Sequence, residues 1–283
     1  MKNFLLKILT LILVVSTAFC IITACKEEHT HNYVDYYCRD CGDEYYTEGL
    51  VFTLNNNEYI VKDYNGTETD VYIPSIYNGL PVTSIGEDAF YNCTNLTSVA
   101  IPNSVTSIGE DAFLGCTNLI SVVIPNSVTS IGDRAFYYCS NLTSVVIPNS
   151  VTSIGNSAFR GCTSLTGVVI PDSVTSIGNG TFYDCDNLTS IVIPNSVTSI
   201  GDMAFYGCDG LTSVVIGDSV TSIVSGAFYN CDNLTSIKFN DTSTWYRTTN
   251  SDYTGGTQID VTNPSTNATN FKSTYYNYYW YKI

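Results

Sequence analysis

The stretch "NLTSVVIPNSVTSIGNSAFRGCT", Asn141–Thr163, decides the fold. It is 23 residues long, and near-copies of it precede and follow it. Phe90, Phe113, Phe136, Phe159, Phe182, Phe205 and Phe228 keep this step of 23. So do Leu96, Leu119, Leu142, Leu165, Leu188, Leu211 and Leu234, and Pro102, Pro125, Pro148, Pro171 and Pro194. Cys93, Cys116, Cys139, Cys162, Cys185, Cys208 and Cys231 complete the series. A period in the twenties is the signature of a solenoid, in which no unit buries its apolar face alone and stacking buries all of them.

Each segment of the unit has a physical reading. "LTSVVI" is a short β-branched run that proline stops and turns. Leu142, Val145 and Ile147 point inward, as do Val151 and Ile154 in "SVTSIG". Gly155 permits a tight corner. "SAFRGC" reads as one helical or 3-10 turn that carries Ala158, Phe159 and Cys162 inward. Seven cysteines cannot all pair with one another. Neighbours one strand spacing apart, about 4.8 Å, have Cβ atoms beyond the usual disulfide separation of about 3.8 Å. The row is therefore read as small apolar core residues whose thiols donate weakly to local carbonyls.

The unit "LISVVIPNSVTSIGDRAFYYCSN", Leu119–Asn141, resembles the BspA-like class of bacterial leucine-rich repeats. The resemblance spans 80–239. It implies a right-handed, β-rich leucine-rich-repeat solenoid with a parallel β-sheet on the concave face and short helical or 3-10 turns on the other side. It also implies a place on a cell surface and, for some members, adhesion.

The ends of such a stack need caps. Residues 50–79 read as an N-terminal β cap: a hairpin around Asn55–Asn57, a strand at Val71–Ile73 and an irregular first coil. The repeat erodes after Gly217, which replaces proline. Residues 240–283 read as an aromatic C-terminal cap that covers the last coil through Trp245, Trp280 and some of the tyrosines.

Residues 1–24 read as a lipoprotein signal peptide. Lys2 and Lys7 precede the apolar run Ile8–Ile22, which is short for a membrane span of about 20 residues. "ITAC" resembles a bacterial lipobox, which would make Cys25 the lipidated residue and the membrane anchor of an exported, surface-exposed protein. The alternatives are a plain cleaved signal peptide and an uncleaved anchor. Residues 25–49 form the following linker. Within it His29, His31, Cys38 and Cys41 form H-x-H-x6-C-x2-C, a set with the four N and S ligands of a structural zinc site. A Cys38–Cys41 disulfide, or free thiols, are the competing readings.

The chain's 283 residues carry 26 Asp plus Glu against 11 Lys plus Arg, a net charge of −15. No basic stripe exists to release phosphate counterions, so a nucleic-acid partner is not expected. Enzymatic chemistry is not expected either. The only histidines are His29 and His31, and no Ser–His–Asp or Cys–His set occurs in the repeats. Glu87, Asp88, Glu110, Asp111, Asp133 and Asp202 read as solvated surface charge.

Binding is the remaining reading. Between the inward positions of each strand lies an outward one, occupied by Ala100, Val123, Val146, Val169, Val192, Val215 and Lys238. Thr97, Ile120, Thr143, Thr166, Thr189, Thr212 and Thr235 run beside it. A contiguous apolar stripe often marks an interaction site, although valine also favours strands for its own reasons. Tyr137, Tyr183 and Tyr206, each following the repeat phenylalanine, are a second candidate. The expected partner is a protein on a host or neighbouring cell. A structural or self-associating envelope protein without a specific ligand is the alternative.

Overall fold

The computed structural model describes residues 33–34, 37–38 and 46–282. The chain divides into two units, 1–45 and 46–283. The described part of the first is one antiparallel pair, Tyr33–Val34 with Tyr37–Cys38. Cys25, His29, His31 and Cys41 lie outside the described residues, and Cys38 is described only through this backbone pairing.

The second unit is the solenoid. Eight strands mark its coils: Asp70–Tyr72, Ser98–Ala100, Ser121–Val123, Ser144–Val146, Val168–Val169, Ser190–Val192, Ser213–Ile216 and Ser236–Phe239. They pair in parallel with a register of one repeat, so that Val99, Val122, Val145 and Val168 lie side by side. The "VTSI" segment forms a second parallel sheet, with Ile85, Ile108, Ile131 and Ile154 aligned. The sequence reading placed Val151 and Ile154 inward but did not assign them a sheet.

The third side of each coil carries turns, with no helix in the coils among the described residues. Two left-handed residues four apart break any helical run, such as Arg134 with φ 52° and Tyr138 with φ 56°. Amides between them bond to the next coil, as in Phe136 N–H to the Ala158 carbonyl at 2.8 Å and Tyr138 N–H to the Arg160 carbonyl at 2.7 Å. These bonds run from an earlier amide to a later carbonyl. On the first sheet the direction is reversed, as in Thr143 N–H to Ile120 at 3.0 Å. Every coil is thus tied to its neighbours on three sides, and its backbone polar groups find partners without a helix.

The enclosed core is a set of columns. The phenylalanine rings stack nearly parallel, with centroids 4.9 Å apart at Phe90–Phe113 and 5.1 Å at Phe113–Phe136. Gly155 is required by close approach: a Cβ there would lie 2.3 Å from the Asp133 amide nitrogen of the coil beneath. The thiols behave as the sequence suggests. Cys139 is fully buried, and its Sγ donates to the Phe113 carbonyl at 3.2 Å. Cys116, Cys162, Cys185, Cys208 and Cys231 repeat the contact with the phenylalanine 26 residues earlier.

One level is looser than the rest. Both sheets lose their pairing between the coil holding Ser144–Val146, Ser153–Ile154 and Val168–Val169 and the coil that begins at Ser176–Ile177 and Ser190–Val192. The Phe159–Phe182 centroids are 5.6 Å apart, the widest step of the column. Here Thr181 is buried where Ala89, Ala112, Ala135, Ala158, Ala204 and Ala227 stand in the other coils. The extra heavy atoms of the threonine enter a column packed for methyl groups, and the overpacked level opens.

Both ends are capped. Leu50–Asn55 and Glu58–Tyr64 form the expected hairpin, turned by Asn56 and Asn57 at φ 47° and 68°, the left-handed pair that a two-residue type I′ hairpin needs. A second hairpin, Ile76–Tyr77 with Leu80–Ile85, occupies the stretch read as an irregular coil. At the far end Tyr279–Lys282 pairs with Ser222–Ile223 and with Trp245–Thr248. Trp245 and Trp280 are buried. Phe271 lies edge-on to Phe228 at 5.6 Å and stacks on Trp280 at 3.9 Å, which closes the phenylalanine column. Among the described residues no helix is long and apolar enough to cross a membrane.

Candidate interaction faces

On the first sheet alternate side chains leave the core. Val123, Val146 and Val169 are direct cross-strand partners, and so are Val192 and Val215. Their exposures are 48% for Val123, 39% for Val146, 53% for Val169 and 60% for Val192, and Val215 is half-buried. Exposed Ile120 stands beside the row and widens it. The row ends at Ala100 on one side and Lys238 on the other.

The threonines next to the row are held. Thr143 Oγ1 donates to the Ile120 carbonyl at 3.2 Å, Thr166 to Thr143 at 3.3 Å and Thr235 to Thr212 at 3.2 Å. Each hydroxyl gives its proton to the coil beneath and keeps its lone pairs and methyl group for the surface. A second threonine ladder, including Thr129, Thr152, Thr198 and Thr221, runs along the other sheet. The result is a flat, uncharged, preformed face in which valines alternate with acceptor oxygens.

The tyrosine column has a different character. Tyr137, Tyr183 and Tyr206 are half-buried. Tyr183 stacks on Tyr206 at 4.5 Å, Tyr206 meets Tyr229 edge-on at 5.6 Å, and Tyr229 stacks on Tyr276 at 4.0 Å. Arg160 fills the tyrosine position of its own coil, its guanidinium 3.9 Å from the Tyr183 ring centre and 5.6 Å from that of Tyr137. Burial pushes the Tyr137 and Tyr183 phenols up. Ring faces in this column meet one another and present mainly edges outward. Arg160 escaped the sequence reading, although its place directly after Phe159 aligns it with the tyrosines.

Charge is sparse and partly paired. Arg134 Nη2 lies 2.6 Å from Glu110 and 2.7 Å from Asp111, so those two carboxylates are ion-paired as well as solvated. Among the described residues no group of three or more His, Cys, Asp or Glu is placed to hold a metal ion. Burial pushes the thiols of Cys139, Cys162 and Cys185 well above their usual range, and that of half-buried Cys93 up to about 11. Such groups are poor nucleophiles at neutral pH. Two open depressions, of about 610 Å³ beside Lys62, Asp63 and Tyr91 and about 570 Å³ beside Ser243 and Gln258, contain no base aligned with a nucleophile.

The comparisons with known proteins agree with this architecture. Six copies of the BspA type leucine rich repeat region match residues 69–189 and 175–279. The crystal structure of the T. pallidum leucine rich repeat protein is 34% identical, with 66% of this chain and 88% of that one covered and a TM-score of 0.62. A leucine rich cell surface protein from Faecalibacterium prausnitzii A2-165 is 36% identical, with 78% of this chain and 61% of that one covered and a TM-score of 0.66. No curated protein matches significantly. With its coils, columns and caps matched over this length, the chain belongs to the BspA-type leucine-rich repeat family.

Proposed function

We propose that the protein is a non-enzymatic, cell-surface binding module whose valine–threonine face docks a protein on a host or neighbouring cell. The observation that carries this reading is the in-register row of exposed Val123, Val146, Val169 and Val192. An apolar row of this length on a chain with 26 acidic residues is where another protein can bury area without stranding a charge. The threonine acceptors beside it supply directional contacts at no cost in ordering, because their hydroxyls are already fixed. The tyrosine column is the second candidate surface. Export and lipid anchoring at Cys25 fit this role, and the related F. prausnitzii protein is described as a cell surface protein.

The test is the triple substitution Val146→Asp, Val169→Asp and Val192→Asp. All three side chains are exposed, so the solenoid should keep its circular dichroism and protease resistance. Adhesion to host cells, or capture of a matrix protein, should fall at least tenfold. Undiminished adhesion by the folded variant would remove this face from consideration.

A further inference from the structure

Most ends of the two sheets are closed. At the first sheet's N-terminal edge, Thr47 N–H donates to the Tyr72 carbonyl at 3.1 Å and Tyr72 N–H donates to Thr47 Oγ1 at 2.8 Å. At its C-terminal edge the Asn267 amide donates to the Ile237 carbonyl at 3.0 Å. The C-terminal edge of the second sheet is Thr257–Ile259, a strand of three residues followed by Asp260. The N-terminal edge of the second sheet is different. Leu50–Asn55 is six residues long, pairs only with Glu58–Tyr64 and contains neither charge nor proline. Charge and proline are the usual guards against edge-to-edge pairing. A register shift between Val51 and Phe52 is the one guard present, and it leaves Phe52–Asn55 regular.

The geometry of that half is specific. The two-residue turn makes Asn55 and Glu58 a hydrogen-bonded pair, and bonding alternates back along the strand. Phe52 and Leu54 therefore aim their N–H and C=O groups away from the hairpin. Leu54 is 56% exposed. Phe52 stacks on Tyr77 at 4.1 Å and is edge-on to Tyr46 and Tyr59, so an aromatic surface reaches the open edge.

We propose that Leu50–Asn55 is the seam of a homodimer, formed by antiparallel pairing of this strand with its copy about a two-fold axis at Thr53. That register hydrogen-bonds Phe52 to Leu54 of the copy, and Leu54 to Phe52 of the copy. The same two side chains meet across the seam on the aromatic face, as cross-strand pairs do. A second copy is favoured as the occupant by charge. Two chains of net charge −15 repel over most of their surface, and this strand brings them together with no carboxylate in the pairing. Two-fold pairing also closes on itself and leaves no new edge to propagate. The seam is independent of the valine face.

Thr53→Cys in the full chain, expressed in a bacterial host, tests the register. Antiparallel pairing puts position 53 opposite its copy as a non-hydrogen-bonded pair, close enough for a disulfide. Mild oxidation of intact cells should give a species of twice the chain mass that is absent from wild type. Peptide mapping should place its disulfide between the substituted positions of the two copies. Adding Leu54→Lys should reduce it at least tenfold. The detergent-solubilised wild-type chain should have the mass of two copies and its Leu54→Lys variant the mass of one. A wild-type chain of single mass, a protease-resistant Thr53→Cys chain that never cross-links, or a cross-link that Leu54→Lys leaves unchanged would each overturn the proposal.

Discussion

Cys139 offers a quantitative test of the dry cysteine column. It is fully buried, and its Sγ donates to the Phe113 carbonyl at 3.2 Å. That carbonyl also accepts the Cys116 amide at 3.2 Å, so it stays bonded if the thiol is removed. Cys139→Ala then costs the burial of one methylene-sized group, about 0.8 kcal/mol, plus a small cavity, for a total of about 1–2 kcal/mol. Cys139→Ser leaves less of a void but buries a hydroxyl. Its oxygen lies closer to Cβ than sulfur does, and the backbone cannot move to compensate. Phe136 and Tyr138 are fixed to Ala158 and Arg160 by bonds of 2.8 and 2.7 Å. The hydroxyl therefore reaches the carbonyl poorly, and an ill-satisfied buried polar group costs about 1–3 kcal/mol. Serine should be less stable than alanine by about 1 kcal/mol, measured as the shift in urea midpoint at constant slope. Thiol reagents should label the row only after unfolding, because burial raises these thiols far above neutral pH. A serine variant as stable as alanine, or rapid labelling of the native chain, would show that the column is wet or open.

Two further predictions concern single levels of the stack. The amides of Thr175, Gly178 and Thr189 face the level at which both sheets lose their pairing, whereas Thr152, Gly155 and Thr212 are bonded to the coil beneath at 2.9, 2.9 and 3.0 Å. Hydrogen exchange should be faster at the first three by an order of magnitude or more. Thr181→Ala should slow it to match the others, and no change would exonerate Thr181. Asp184 is left-handed, with φ 53°, and burial raises its carboxyl above the usual range. A raised value means that stability is fully present below the unfolded value and is lost as pH rises through the folded one. Asp184→Asn should therefore stabilise the chain at pH 7 by about 0.5 kcal/mol, and the gain should vanish as pH falls below the carboxylate range. A gain that persists in acid would assign the effect to backbone preference alone.

Much of the fold was legible because stacking forces one residue type to recur at each inward position. Phe136, Cys139 and Leu142 announce their columns by their period, and the caps announce themselves where the period fails. What escaped notice has physical reasons. Ser153–Ile154 is too short to show alternation, and its pairing comes from the coils on either side rather than from propensity. The first left-handed position carries Asp88, Arg134, Ser157 and Met203, residues with no common signature, because bonds between coils set their backbone. The second carries Asn92, Gly115, Gly161 and Asn230, a signature that the sequence did display. Thr181 was visible as the one departure from alanine, but only packing gives that departure a consequence.

The candidate face was less legible, because outward positions are free of the constraint that makes inward ones readable. Ala100 and Lys238 occupy the same row as the valines, so the fold tolerates other residues there. Valine in five consecutive coils therefore reflects either strand preference or contact with a partner. Threonine separates the two. Val146→Thr, Val169→Thr and Val192→Thr keep the β-branched shape that strands favour, while each exchanges an exposed methyl group for a hydroxyl that water can solvate. If strand preference is the whole reason, the triple threonine chain folds with an unchanged urea midpoint and binds its partner as before. If the face is a docking surface, the midpoint still holds, because the methyl groups are exposed. Affinity then falls by roughly 10- to 100-fold, since three apolar contacts of about 0.8 kcal/mol each are lost from a buried interface. Stability is constant in both cases, so binding alone decides between them.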